Sequence, residues 1–445
     1  MFQVFRNAWK VADLRQKLLY TLFIIVIFRL GSSIFVPFLN NDAIQALLGE
    51  GTLMNYIDRM TGGSLGRGTI LAMSITPYIN ASIIIQLLTV AIPPLERLAK
   101  EGEEGRKKIN KITKYTALGI ALLQSTIFYF ALRKGGPTED STGRQAILRY
   151  GDIYDTSSDK FSIILSAIVI ILCFTAGASV IIWLGDRINE KGIGNGISMI
   201  LFAGIVARIP EQISNLVKQA KVDTKNAILV PIIMVIFVLM IAFVIFMTNS
   251  ERRIPVQYAK RVVGRKMYGG QSTHIPIKVA MAGVMPIIFA SSIMTLPQTL
   301  TSIFGIPDEG TFWRSVYNLF LSTSSVYAIL YFLLIIGFNY FYIAIQYNPV
   351  QIANDLKKNN GAIPGYRPGK PTSDFISNSL SKITLIGAIF LGIIAVFPIL
   401  FSKFSGISGL SLGGTSLLIV VGVALETVRT MESQMMMRHH KGFLE

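Results

Sequence analysis

Few residues in this chain could do covalent or metal chemistry. Its three histidines, His274, His439 and His440, stand in charged stretches, and only the adjacent terminal pair could approach a common metal. Cys173 is alone within an apolar run, so neither a disulfide frame nor a thiolate metal site can be built. No His-Glu-x-x-His occurs, nor any pair of aspartates within the apolar runs, which removes the usual machinery for hydrolysis inside a bilayer. Gly192-Ile-Gly-Asn-Gly196 superficially suggests a phosphate cradle. Lacking the lysine and a preceding strand, and opening an apolar helix, its glycines read instead as close-packing positions. The apolar runs hold few ionisable groups: Arg29 in the first, and Glu426 and Arg429 near the end of the last. A charge there costs ~2.5–3.5 kcal/mol on insertion scales and is retained where it serves a function. What remains is electrostatic chemistry. Basic clusters fall at Arg106-Lys-Lys-Ile-Asn-Lys111, at Arg252, Arg253, Lys260, Arg261, Arg265 and Lys266, and at Arg367 and Lys370. Such patches dock phosphate backbones or anionic lipid.

The elements that carry these clusters are membrane spans. Hydrophobic residues make up 51% of the 445, and mean hydropathy is +0.53. Ten apolar segments are expected at 18–38, 70–92, 112–132, 161–184, 193–213, 226–248, 277–302, 316–345, 383–401 and 409–430. Their length implies helices rather than barrel strands. Met1–Lys17 is basic and amphipathic, and no small-residue cleavage site follows the first span, so no cleavable signal is expected. With the N-terminus on side one, that side receives 28 of the 42 Lys and Arg, and side two receives 13. Carboxylates split 13 and 12, leaving +15 on side one and +1 on side two of a total +17. The positive-inside rule makes side one cytosolic, with both termini (1–17 and 431–445) there. Topology alone accounts for the sign of this asymmetry.

Ten spans divide into halves of five, 18–213 and 226–430, which an odd number turns upside down relative to each other. No residue-level repeat is visible. The second span of each half contains a proline, Pro77 and Pro286, that should interrupt it. Upstream of Pro77 lies Thr61-Gly-Gly-Ser-Leu-Gly-Arg-Gly-Thr69, too polar for a lipid-facing span; irregular backbone at that depth must lie in protein or against water. Two cytosolic loops exceed what a helix connection requires. In 249–275, Gly269-Gly270 is the expected turn between extended arms. In 346–382, a helix is expected with Asn348 as N-cap, Pro349 in the first turn and Gly361 as its stop, followed by the stiff Ile363-Pro-Gly-Tyr-Arg-Pro-Gly-Lys-Pro371.

At six places, in order, the chain resembles the SecY/Sec61α family of protein-translocation channels, and within it the bacterial members. These are Pro77-Tyr-Ile-Asn-Ala-Ser-Ile-Ile-Ile-Gln-Leu-Leu88, Glu101-Gly-Glu-Glu-Gly-Arg106, Gly192-Ile-Gly-Asn-Gly-Ile-Ser198, Gln271-Ser-Thr-His-Ile-Pro-Ile-Lys278, Met281-Ala-Gly-Val-Met-Pro286 and Pro364-Gly-Tyr-Arg-Pro-Gly369. The likeness covers essentially the whole chain. One departure stands where the family commonly reads Ile-Pro-x-Pro-Gly and this chain has Ile34-Phe-Val-Pro-Phe38.

The resemblance implies an all-α, ten-helix membrane channel in two inverted halves, with a plug and a lateral gate. Its hydrophobic pore ring maps to Ile75, Ile79, Ile197, Leu201, Ile288 and Ile419, with Leu418 the alternative register for the last. The plug, a short re-entrant helix, maps to 62–72 and includes Gly62, Gly63, Ser64, Leu65, Gly66, Arg67 and Gly68. The lateral gate, the second and third spans against the seventh and eighth, would carry Asn80, Gln86 and Thr89 opposite Ser291, Ser292 and Thr295. Hydrogen bonds averaging ~0.6 kcal/mol would make a seam that closes yet yields to a competing helix. Arg252, Arg253, Lys260, Arg261, Arg265, Lys266, Arg367 and Lys370 would form the dock for the ribosome and the SecA motor ATPase. SecE and SecG subunits, signal sequences, translocating polypeptide and membrane lipids complete the implied partners, in the bacterial inner membrane. No ATP site or cofactor is implied, so energy comes from outside the chain. Hydropathy alone also fits an inverted-repeat secondary transporter, but the spans offer no buried carboxylate for a coupling ion.

Overall fold

A computed structural model of the chain describes residues 2–40, 44, 63–134, 160–222, 224–258, 261–263, 266–268, 272–304, 311–320, 324–405 and 414–439. Each expected span falls at least partly on helix. In the first half these are α1 (Phe2–Lys10), α2 (Ala12–Gly31), α3 (Thr76–Ala91), α4 (Pro93–Lys100), α5 (Glu103–Lys134), α6 (Lys160–Lys191), α7 (Gly196–Val206) and α8 (Ile209–Val222). The second half has α9 (Thr224–Asn249), α10 (Met285–Phe304), α11 (Phe312–Leu319), α12 (Ser325–Gln346), α13 (Pro349–Lys358), α14 (Lys370–Ser405) and α15 (Gly414–His439). Among the described residues, five helical stretches are long and apolar enough to cross a membrane, or six if α3 and α4, bent by 101° at Ile92, form one span. Leu22, Leu239 and Phe246 are each at least 60% exposed on helix surfaces, a pattern suited to lipid rather than water.

Several boundaries differ from expectation for physical reasons. The first span ends at Gly31 rather than Phe38, because Ile34–Val36 is extended and spends its backbone groups on the segment before α3. Pro77 and Pro286 do mark breaks in the expected spans 70–92 and 277–302: helix begins only at Thr76 and Met285, with each proline in the first turn, where its missing N–H has no partner to lose. Between α4 and α5 the reversal needs Gly102 at φ 78° and Gly105, whose Cβ would collide with the Leu98 carbonyl. Gly196 packs α7 against the Gly185 carbonyl of α6, and Gly192 packs against Thr21 of α2, which bears out the close-packing reading of that motif.

The structure supplies the repeat that the residues conceal. Aligned on their prolines, the entries to α3 and α10 share one backbone course. The residue three before each proline is left-handed, Ser74 at φ 48° and Gly283 at φ 57°. Its N–H donates to the residue three earlier, Ser74 to Leu71 O and Gly283 to Ala280 O. The helix then starts one residue before the proline, and the residue two past it, Ile79 or Ile288, donates to Ile75 O or Val284 O. Packing around these entries also corresponds. In the first half Thr175 Oγ1 of α6 donates to Ser125 Oγ of α5 at 3.2 Å, and in the second Asn339 Nδ2 of α12 donates to Thr384 O of α14 at 2.9 Å.

The two large loops expected on side one fold into one unit. Strands β1 (Glu251–Tyr258) and β4 (Ser272–Lys278) pair antiparallel from Glu251↔Lys278 to Gln257↔Ser272, while β2 (Arg261–Val263) and β3 (Lys266–Tyr268) form a separate ribbon with Val263 opposite Lys266. Chain reversal therefore occurs between β2 and β3, ahead of Gly269-Gly270, which lies outside the described residues. The third strand comes from the other loop: β5 (Gly361–Ala362) pairs with Tyr258 and Gln257, giving the order β4-β1-β5. Ile254, Val256, Ile277, Leu356, Ile363, Ile376, Leu380 and Ile383 form the unit's own apolar core. Asn348 caps α13 as expected, accepting from Val350 N and Gln351 N at 3.1 and 3.2 Å. Asn348→Ala should cost about 1 kcal/mol, read as faster amide exchange in the first turn of α13 with β1–β4 unchanged. Gly361 is not the helix stop. Asn360, left-handed at φ 53°, ends the helix, and Gly361 is glycine because a Cβ would lie 2.9 Å from the Tyr258 ring.

Candidate functional site

Five of the six residues expected to ring the pore meet in one apolar cluster. Ile75, Leu201 and Ile419 are buried there with Leu71 and Ile205, and Ile79 and Ile197 pack against them partly buried. The cluster draws on α2, the entry to α3, α6, α7 and α15, so it sits where the first half meets the last span. Ile288 is buried on α10 but outside that cluster. Leu418 belongs to a different core, with Ile287, Met294 and Leu391, so adjacent residues of α15 face different surroundings. Ile419 is the one that shares those of Ile75.

The segment before this neck is not a helix. Gly62 lies outside the described residues, and Gly63–Ile75 is a succession of turns, correcting the expected short re-entrant helix. Gly63 and Gly68 are left-handed at φ 84° and 57°, which no continuous helix accommodates. Thr69 closes the loop through both its N–H and its Oγ1, each donating to Ser64 O at 3.1 Å. An antiparallel bridge at Phe35↔Thr69 then ties the segment to the chain leaving α2, with Val36 N donating to Gly68 O and Ile70 N to Ile34 O, both at 2.9 Å. Ser64 and Leu65 are buried and Arg67 is exposed. The Arg208 side chain, at the break between α7 and α8, lies over Gly63.

Expected gate residues meet across the halves where Ser292 Oγ on α10 donates to Asn80 Oδ1 on α3 at 3.4 Å, the long end of the hydrogen-bond range. Two others turn to their own helices. Ser291 Oγ donates to Ile288 O and Thr89 Oγ1 to Ile85 O. Gln86 is half-buried, and the side chain of Thr295 is not among those described.

Four of the basic residues are displayed at the surface of the joined loop unit. Arg252, Arg253, Arg367 and Lys370 are exposed. Arg253 Nε bonds to Glu251 Oε1 at 2.8 Å, and that hydrogen bond holds the Glu251 carboxyl below its ordinary range. Arg261 stands opposite Tyr268 in the β2–β3 ribbon that also holds Lys266, while Lys260 and Arg265 lie outside the described residues. Arg367 sits in a turn pinned from both sides. Thr372 Oγ1 donates to its carbonyl at 2.8 Å, and the neighbouring Tyr366 ring lies 4.3 Å from that of Phe375. Sequence reasoning missed the part played by Arg429, whose guanidinium ties α15 to the end of α9 through Asn249 Oδ1 at 2.7 Å. It also missed the 2.6 Å ion pair Lys114–Asp186 between α5 and α6. No periodicity or spacing could have found partners so far apart in the chain.

A family model described as SecY matches residues 69–428 of this chain. The chain is 40% identical, over the full length of both, to the protein translocase subunit SecY of Mycobacterium bovis, and 41% identical to that of Streptomyces galbus, again over the full length of both. Among solved structures it resembles a protein-conducting channel, with TM-score 0.63 at 18% identity over 94% of this chain and 92% of the other. It also resembles Sec61 in the canine ribosome–channel complex, with TM-score 0.59 at 17% identity over 94% and 92%.

Proposed function

The chain belongs to the SecY family, and on that footing we propose how this protein translocase subunit, a multi-pass membrane channel, works. Unfolded polypeptide passes the apolar neck formed around Ile75, Ile79, Ile197, Leu201 and Ile419, with Ile288 facing it from α10. A narrow apolar neck resists wetting and so blocks ions, yet yields around a passing chain. The 63–72 segment closes the outer side as a turn-built plug. Hydrophobic segments leave sideways between α3 and α10, where the long Asn80–Ser292 bond is weak enough for a signal helix to replace. The protein resides in the cytoplasmic membrane with both termini cytosolic. The joined basic unit docks the ribosome and the SecA motor, with Arg367 coupling to them, and SecE and SecG complete the complex. A family match over residues 69–428 favours this reading over an inverted-repeat transporter.

The observation that carries it is the convergence of aliphatic residues from α3, α7 and α15 in one cluster. A photo-crosslinker at Ile79 or Ile288, with a secretory chain stalled midway, should form adducts to that chain. Efficient translocation without an adduct at either position would remove the pore assignment. Arg367→Glu should cut export severalfold while leaving the fold intact, since its side chain is exposed; undiminished export would remove its coupling role.

A further inference from the structure

We propose that Gly177 on α6 and Gly387 on α14 are positioning residues, each seating the turn from which a gate helix starts and so setting how closely α3 and α10 meet. The inference rests on reading those two helices as the gate. An ideal Cβ at Gly177 would lie 1.9 Å from the carbonyl oxygen of Ile70, and one at Gly387 would lie 2.4 Å from that of Val279. In both cases the obstacle is main chain rather than a flexible side chain, so neither seat has room for a methyl group. Glycine permits such approach of backbones between membrane helices and allows a Cα–H···O contact.

The two seats are equivalent. Ile70 and Val279 each stand seven residues before the helix-opening proline, within the shared backbone course that runs through Ser74 and Gly283. Counting the long spans alone, each glycine lies on the second span after the gate helix (α6 after α3 and α5, α14 after α10 and α12), close to the hydrogen bond joining that span to the one before it: Thr175–Ser125 near Gly177, and Thr384–Asn339 near Gly387. Recurrence in both halves, on unrelated side chains, marks the contact as part of the architecture rather than a local accident of packing. Each seat leads directly into working surface. Ile75, Ile79 and Asn80 come just after the first, and Ile288 and Ser292 just after the second. A methyl group at either glycine forces the turn away by roughly 1–2 Å to reach ordinary contact distance. The helix it starts moves with it, and the Asn80–Ser292 contact, already at 3.4 Å, opens first.

The test uses the full chain in membranes with its partner subunits. With Asn80→Cys and Ser292→Cys introduced, oxidation should give a disulfide, and adding Gly177→Ala or Gly387→Ala should lower its yield at least threefold. In the unmodified background either alanine should raise export of a reporter with a defective signal sequence at least tenfold, which a merely destabilised channel would not do. Gly119→Ala and Gly337→Ala, where a Cβ meets nothing within 4 Å, should change neither readout. An unchanged disulfide yield in a normally accumulating Gly177→Ala or Gly387→Ala chain overturns the inference. A lowered yield with an unaltered signal requirement keeps the seats and removes the gate reading beneath them. Should neither alanine variant accumulate, amide exchange on the wild-type chain decides. Segments 70–76 and 279–285 should stay protected when signal peptide is added, and a tenfold rise in exchange at both would overturn the seats.

Discussion

A channel carrying Ile79→Ser together with Leu201→Ser is expected to conduct ions while idle, at least about tenfold above the wild type. Burying an aliphatic side chain of this size contributes about 1.5–3 kcal/mol, and about 1.4 kcal/mol is a factor of ten in an equilibrium. Two such losses in the cluster around Ile75 and Ile419 move the neck from dry toward wet, and hydroxyls give entering water partners it otherwise lacks. Conductance of purified complex in planar bilayers reads the effect directly. Leu418→Ser is the control: it removes a buried leucine from the neighbouring core, so it should lower thermal stability without comparable conductance. A pair variant as tight as the wild type, or a Leu418 variant equally leaky, would sink the assignment of the neck to this cluster.

Ile254→Asp should unfold both basic loops at once. Ile254 is 2% exposed between β1 and the residues of the other loop, and an unpartnered carboxylate there costs on the order of 3–5 kcal/mol. The core of the loop unit is separate from those of the spans, so the membrane part should survive. Limited proteolysis should then cut within 251–278 and within 359–371 together, with export falling at least about tenfold. Cleavage confined to the first loop, with Arg367-dependent export preserved, would show the loops to be independent. The contrast with Arg367→Glu is diagnostic, since that exchange should silence coupling without admitting protease.

Long apolar runs make the spans legible, because burial in lipid demands composition that nothing else in the chain shares. Asn348-Pro349 announces α13, since capping is local chemistry. Legibility ends where geometry depends on partners distant in sequence. β5 is two residues long and has no alternation to read, so Gly361 passes for a helix stop although its reason is the Tyr258 ring. Resemblance puts the glycines at 63 and 68 in a re-entrant helix, but they are the left-handed corners of a bridged turn. Ser74 and Gly283 do the same backbone work with different side chains, which is why the repeat is invisible to residue comparison. Of the residues expected at the gate, Asn80 and Ser292 meet, and nothing in their local patterns distinguishes them from Gln86 or Ser291.

The strand order β4-β1-β5 also constrains how the chain is made. β1 and β4 emerge early and can pair at once, but the edge beside β1 stays vacant until Gly361 is synthesised, after α10 and α12 have entered the membrane. A chain in which the spans between β4 and β5 fail to insert as a pair leaves Gly361 on the wrong face, with an open strand edge and an incomplete core. The small sheet is therefore complete only when both loops lie on the same side of the membrane, so its third strand couples the placement of the spans between β4 and β5 to the folding of the loops.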